Sequence, residues 1–128
     1  MNPAELRRVL YVDDEPDIQE VARLTLELTA HLIVKTCGSG GQALAEAATF
    51  APDLILLDVM MPDMDGPATL AALRAEPELT DIPIIFITAT VQRSEIERLR
   101  ELGAIGVILK PFDPLKLADQ LKELWAPR

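Results

Sequence analysis

Aromatic side chains are scarce in this chain: Phe, Trp and Tyr together make up 4% of its 128 residues. A core built on large rings is excluded, and Leu, Ile, Val and Ala must fill the interior from a hydrophobic share of 49%. There is one cysteine, Cys37, which excludes a disulfide within the chain and fits a reducing compartment. Its place near the end of an apolar run reads as that of a small buried residue. The one histidine, His31, falls between a helical segment and an edge strand, the place of a solvated loop residue rather than a phosphodonor. Basic residues are outnumbered 12 to 21 by acidic ones, and a formal net charge of -9 argues against nucleic-acid binding by this chain alone. No apolar run approaches the length of a membrane span, and residues 1–8 lack the apolar stretch of a signal peptide. A cytoplasmic location is expected. No repeat, low-complexity tract or Gly/Ser linker divides the chain, so residues 1–128 are expected to form a single domain.

What is present is an alternation of two periods. Short apolar runs at residues 9–12, 32–34, 54–57, 84–87 and 107–109 read as strands. Segments with helical spacing follow them. Ile18, Val21, Leu24 and Leu28 form one stripe, Ile96, Leu99 and Leu102 another, and Leu115, Ala118, Leu121 and Trp125 the last. Residues 40–50 and 67–76 are rich in Ala and Leu and read as helices. Pro16, Pro67 and Pro114 sit where a first helical turn begins, and Gly103 where a helix would end. Strand and helix repeated five times imply a doubly wound parallel sheet with helices on both faces, a three-layer α/β fold. The run at residues 32–36 contains Lys35 and reads as an edge strand; the other runs are apolar enough to be buried on both faces.

The residues that close the strands are polar. Residues 9–12 run into Asp13 and Asp14, residues 54–57 into Asp58, residues 84–87 into Thr88 and residues 107–109 into Lys110. Open α/β sheets bind ligands beyond the carboxyl ends of their strands, where the strand order reverses. In the flavodoxin-like (βα)5 order 2-1-3-4-5, strands one and three are neighbours at that point, and the five residues line one crevice. Singly, each has an ordinary structural reading, such as an acid favoured ahead of a helix or a solvated lysine. The conjunction points to chemistry. Crowded carboxylates repel one another, and a hard divalent cation with oxygen ligands relieves the repulsion. Three carboxylates, one Mg²⁺ and one ammonium sum to no net charge, so the crevice can admit a phosphoryl group. Phosphoryl transfer asks for positioning and charge stabilisation, and a carboxylate nucleophile yields an aspartyl phosphate. Thr88 is placed to donate a hydrogen bond to a phosphoryl oxygen.

Four pieces in this order resemble the receiver domain of bacterial two-component response regulators: residues 12–16 (VDDEP), 57–66 (LDVMMPDMDG), 87–89 (ITA) and 110–112 (KPF). The resemblance covers nearly the whole chain. It implies that Asp58 is the phosphoacceptor and that Asp13, Asp14, Asp58 and the backbone carbonyl of Met60 hold Mg²⁺, with Mn²⁺ as a substitute. It implies that Thr88 and Lys110 contact the phosphoryl group and that the Lys110–Pro111 peptide bond is cis. It further implies a sensor histidine kinase or histidine phosphotransfer protein as phosphodonor and an output protein or output domain as the reader. Such a domain signals; it phosphorylates and slowly dephosphorylates itself but is not a turnover enzyme. One departure stands out. The family usually carries Tyr or Phe three residues before the lysine, where this chain has Val107, so the aromatic half of the Thr–aromatic switch is lost. A phosphatase of the haloacid-dehalogenase type would need D-x-D after the first strand, where Asp13-Asp14-Glu15 stands. A flavodoxin-like cofactor carrier would need a Ser/Thr/Gly-rich loop there instead.

Overall fold

Strand and helix alternate five times in the computed structural model, which describes residues 5–125: β1 Arg8–Val12, α1 Pro16–Ala30, β2 Ile33–Cys37, α2 Gly40–Phe50, β3 Leu54–Asp58, α3 Gly66–Arg74, β4 Ile84–Thr88, α4 Arg93–Glu101, β5 Gly106–Leu109 and α5 Pro114–Trp125. Residues 1–4 and 126–128 lie outside that description, and with them half of the N-terminal segment considered for a signal peptide. The strands form one parallel sheet in the order β2-β1-β3-β4-β5. Helices α1 and α5 cover one face, over a core that includes Val9, Tyr11, Leu54, Leu56, Ile85 and Ile87. Helices α2, α3 and α4 cover the other, over Leu10, Val12, Ile55, Leu57, Ile84 and Phe86. Side chains of a strand alternate between faces, so both sides of β1, β3 and β4 must be apolar to fill two cores. Those twelve side chains are all fully buried.

Strand β2 is an edge, as its composition implies. Ile33 is exposed, and Lys35 on the same strand pairs with Glu46 of α2 at 2.6 Å, a charged residue of the kind that blunts open edges. Helix starts follow their local chemistry. Pro16 opens α1, the Ser39 hydroxyl accepts from the Gln42 N–H at the start of α2, and the Asp65 carboxylate accepts from the Ala68 N–H at the start of α3. Gly103 lies just past α4 with φ 116°, a left-handed conformation that favours glycine. Gly66 has a different role. A Cβ there would lie 2.6 Å from the Asp58 carbonyl oxygen and 2.9 Å from the Val59 Cα, so only glycine lets α3 begin directly against the end of β3.

Three helical stripes need correction. In α1 the buried residues are Ala22 and Leu26, with Ile18 partly covered, while Val21, Leu24 and Leu28 are exposed. Two apolar rows run along this helix, and the row containing the small Ala22 allows the close packing of α1 on the sheet and on α5. In α5, Leu117 replaces the exposed Leu115 beside Ala118, Leu121 and Trp125. In α4 only Leu99 is fully buried, and Leu102, at the C-cap, is exposed. His31 is the exposed C-cap of α1 with φ 57°, and Cys37 is buried at the end of β2, where burial pushes its thiol up to about 11.

Candidate functional site

The carboxyl ends of β1, β3, β4 and β5 meet at one edge of the sheet. Ladder bonds continue past the strands and fix the residues just beyond them: Asp13 N–H donates to the Cys37 carbonyl at 3.0 Å, Val59 N–H to Ile87 at 3.0 Å, and Lys110 N–H to Thr88 at 2.8 Å. Strand parity then decides direction. Asp13 continues the Val9–Tyr11 side, Asp58 the Leu54–Leu56 side and Lys110 the Ile108 side, all toward the α1/α5 layer. Thr88 continues Ile84 and Phe86, toward the layer of α2, α3 and α4.

Lys110 is the hub of the cluster. Its Nζ lies 3.0 Å from Asp13 Oδ2, 3.1 Å from Glu15 Oε1 and 3.3 Å from Asp58 Oδ2. Asp13 is wholly buried and holds two further donors: the Tyr11 hydroxyl at 3.0 Å on Oδ2 and the Glu15 N–H at 3.0 Å on Oδ1. Asp58 is 4% exposed, whereas Asp14 and Glu15 are open to solvent. Burial, then the charge of Asp13, pushes the Asp58 carboxyl up to about 6; Lys110 offsets part of this and Asp14 adds to it. Burial pulls the Lys110 ammonium down, but its bond to Asp13, the charge of Asp58 and its bond to Glu15 outweigh that and leave it above the ordinary lysine range. The Tyr11 hydroxyl is held well above its usual value, by burial first and by Asp13 second.

The structure therefore brings together Asp13, Asp14, Asp58 and Lys110, with Thr88 one strand over. The Thr88 hydroxyl accepts from the Thr90 N–H at 3.2 Å. Met60 lies two residues after Asp58, with its side chain in solvent, and the Lys110–Pro111 bond is cis. Val107 is half-buried against the core under α4. Two contributors are not among the five residues read at the strand ends. Glu15 joins the acids: ligand oxygens of Asp13, Asp14, Glu15 and Asp58 lie within 4.8 Å of one another. The fourth carboxylate makes the charge count one unit more negative than three acids imply. Tyr11 is the other, and the period of two that aims it at the same face as Asp13 is the signal for it. A hard divalent cation fits this donor set, which is all oxygen, strongly anionic and short of positive charge.

Comparison with known proteins agrees with the geometry. The family model described as "Response regulator receiver domain" matches residues 9–122. The probable C4-dicarboxylate response regulator DctR of Halalkalibacterium halodurans is 36% identical over 108 residues, which are 84% of this chain and 46% of that protein. Response regulator PleD of Caulobacter vibrioides is 40% identical over 119 residues, 91% of this chain and 26% of that one. The chain thus spans about half the length, or less, of such curated relatives. Among solved structures, the chemotaxis response regulator CheY4 of Vibrio cholerae superposes with a TM-score of 0.86 at 32% identity, over 94% of this chain and 99% of that one. On sequence, topology and site together, this chain belongs to the receiver domain family of two-component response regulators.

Proposed function

We propose that Asp58 is the phosphoacceptor of this receiver, and that Asp13, Asp14, Asp58 and the Met60 carbonyl hold the Mg²⁺ that the reaction requires, with Mn²⁺ able to substitute. The observation that carries this reading is the buried Asp58 carboxylate, 3.3 Å from Lys110 and within 4.8 Å of the other acids. When bound, the cation neutralises the acids and screens the charge of the incoming phosphoryl group. Asp58 supplies a carboxylate oxygen as nucleophile: an O–P bond forms as the P–N bond to the donor histidine breaks, and the imidazole leaves. Lys110 carries the positive charge that meets the equatorial oxygens, and the Thr88 hydroxyl turns from its bond with Thr90 to donate to one of them.

Receivers of this family are phosphorylated by histidine kinases, so the donor is a sensor histidine kinase or a histidine phosphotransfer protein. An apolar cavity of about 340 Å³ lined by Ile18, Val21, Ala89, Pro111, Phe112 and Pro114 shares Lys110 with the site. Its wall residue Val21 belongs to the exposed apolar row Val21, Leu24 and Leu28 of α1, which supports this as the face for the donor. The protein signals rather than turns over a substrate, as one domain read by an output protein or domain, and it works in the cytoplasm without nucleic acid of its own. Among the described residues no helix is long and apolar enough to cross a membrane. The test is intact mass after incubation with a small acyl-phosphate donor. One phosphoryl group should add to the wild type only with Mg²⁺, and none to Asp58→Asn. Equal labelling of the Asn variant would place the acceptor elsewhere.

A further inference from the structure

Lys110 is crowded by acids, and of its three carboxylate contacts the one to Glu15 has hydrogen-bond geometry while those to Asp13 and Asp58 are ion pairs. An ammonium carries three N–H groups, and this one faces three carboxylates at 3.0, 3.1 and 3.3 Å with its side chain only 15% exposed. A phosphoryl oxygen must compete with those carboxylates for Lys110. The Asp13 contact is buried, and Asp13 is itself held by Tyr11 and the Glu15 backbone, so it has nowhere to go. The Asp58 contact moves outward with the reaction, because the negative charge of that carboxylate passes to the phosphoryl oxygens. Glu15 is the remaining partner. Its side chain is 59% exposed and can turn into water, and its carboxylate takes no part in the bond that forms.

We infer that Glu15 is a positioning residue that holds Lys110 back in the resting site and competes with an incoming phosphoryl group for it. The inference rests on the proposed role of Asp58. Because an exposed ion pair is weak, the hold is weak too, roughly a two- to fivefold bias. Its use is to let Lys110 stay ordered beside Asp58 while keeping the resting and phosphorylated arrangements close in free energy, which a receiver driven by one small group requires.

Beryllofluoride affinity at saturating Mg²⁺, measured by calorimetry on the full chain, tests this. Glu15→Gln keeps size and polarity but loses the charge, and should bind beryllofluoride roughly two- to fivefold more tightly than wild type. Asp17→Asn is the control for charge alone, since Asp17 is exposed in the first turn of α1 and forms no ion pair with Lys110 among the described residues; its affinity should match wild type. Hydrogen exchange of the ¹⁵N-labelled Lys110 ammonium, without metal or mimic, should quicken in Glu15→Gln and not in Asp17→Asn. An unchanged or weaker affinity in Glu15→Gln, or the same gain in Asp17→Asn, overturns the inference while leaving Asp58 as acceptor. Wild-type protein that takes up no beryllofluoride overturns the acceptor reading, and this inference with it.

Discussion

Asp53 and Asp58 stand at opposite ends of β3 and are used in opposite ways. Asp53 precedes the strand, and its Oδ2 accepts the N–H groups of Arg7 and Arg8 at 3.0 and 2.9 Å. Its backbone carbonyl accepts from the Trp125 indole at 3.2 Å, which ties the end of α5 to the start of β1 and β3. Asp58 closes the strand among other acids, and the nearest cation is shared three ways. At the amino end of a parallel sheet a carboxylate meets backbone donors, and its charge is satisfied by the fold. At the carboxyl end the switch point collects side chains from several strands, and here those side chains repel. The first acid stabilises the structure; the second is kept uncomfortable, which is what a site that must accept a new charged group requires.

The largest effect that sharpens this contrast is on stability. Asp53→Ala removes the acceptor of two charge-assisted bonds and should cost about 3 kcal/mol in urea unfolding, while Mg²⁺-dependent labelling of Asp58 in the remaining folded protein persists. If the loss is negligible, the two ends of the strand differ less than their geometry implies. Asp58→Asn should act in the opposite direction. The folded value of about 6 lies above the ordinary carboxylate value of 3.8, so the native state holds the proton more tightly than the unfolded chain. The stability this confers is present below the unfolded value and is lost as pH rises through about 6. At pH 7 without metal the Asn variant should therefore be more stable than wild type by about 3 kcal/mol, and the gap should close toward pH 4. A gap that widens on acidification would reverse the sign of the argument.

Mg²⁺ gives a smaller effect. At ten times its dissociation constant it should stabilise the wild type by about 1.4 kcal/mol through mass action, with the gain shrinking at pH 5 as Asp58 takes up a proton. Asp14→Asn should lose most of that gain; an equal melting shift in the variant would put the ion elsewhere. Smallest in energy is the outgoing signal. With Val107 in place of an aromatic residue, beryllofluoride should shift amide resonances strongly from Thr88 to Ile96 and weakly around Val107. Thr88 gives up the Thr90 N–H, and a β-branched side chain has few rotamers through which to respond. An unperturbed α4 with the mimic bound would rule out this route.

Much of the site is legible in the sequence because it sits where strands stop. Asp13, Asp14, Asp58, Thr88 and Lys110 each end an apolar run, and the alternation of strands with helices implies a doubly wound sheet, which in the flavodoxin-like order gathers them. The helical stripes are less legible. In α1 the row of Val21, Leu24 and Leu28 is more apolar than the row of Ile18, Ala22 and Leu26, yet it faces solvent. Hydropathy ranks the rows by transfer free energy, whereas the fold chose the one whose small Ala22 permits close approach.

The strand segments, the layered architecture and the acids and lysine at the crevice are all written in the order of residues, because burial on two faces leaves an unmistakable apolar run with a polar residue at its end. Three-dimensional packing was needed to choose which row of α1 is covered, to bring Tyr11 to Asp13, and to make Glu15 share Lys110 with Asp13 and Asp58. The last of these is a contact across 95 positions of chain, between residues that follow β1 and β5 with β3 and β4 between those strands, and no local pattern of residues encodes that approach.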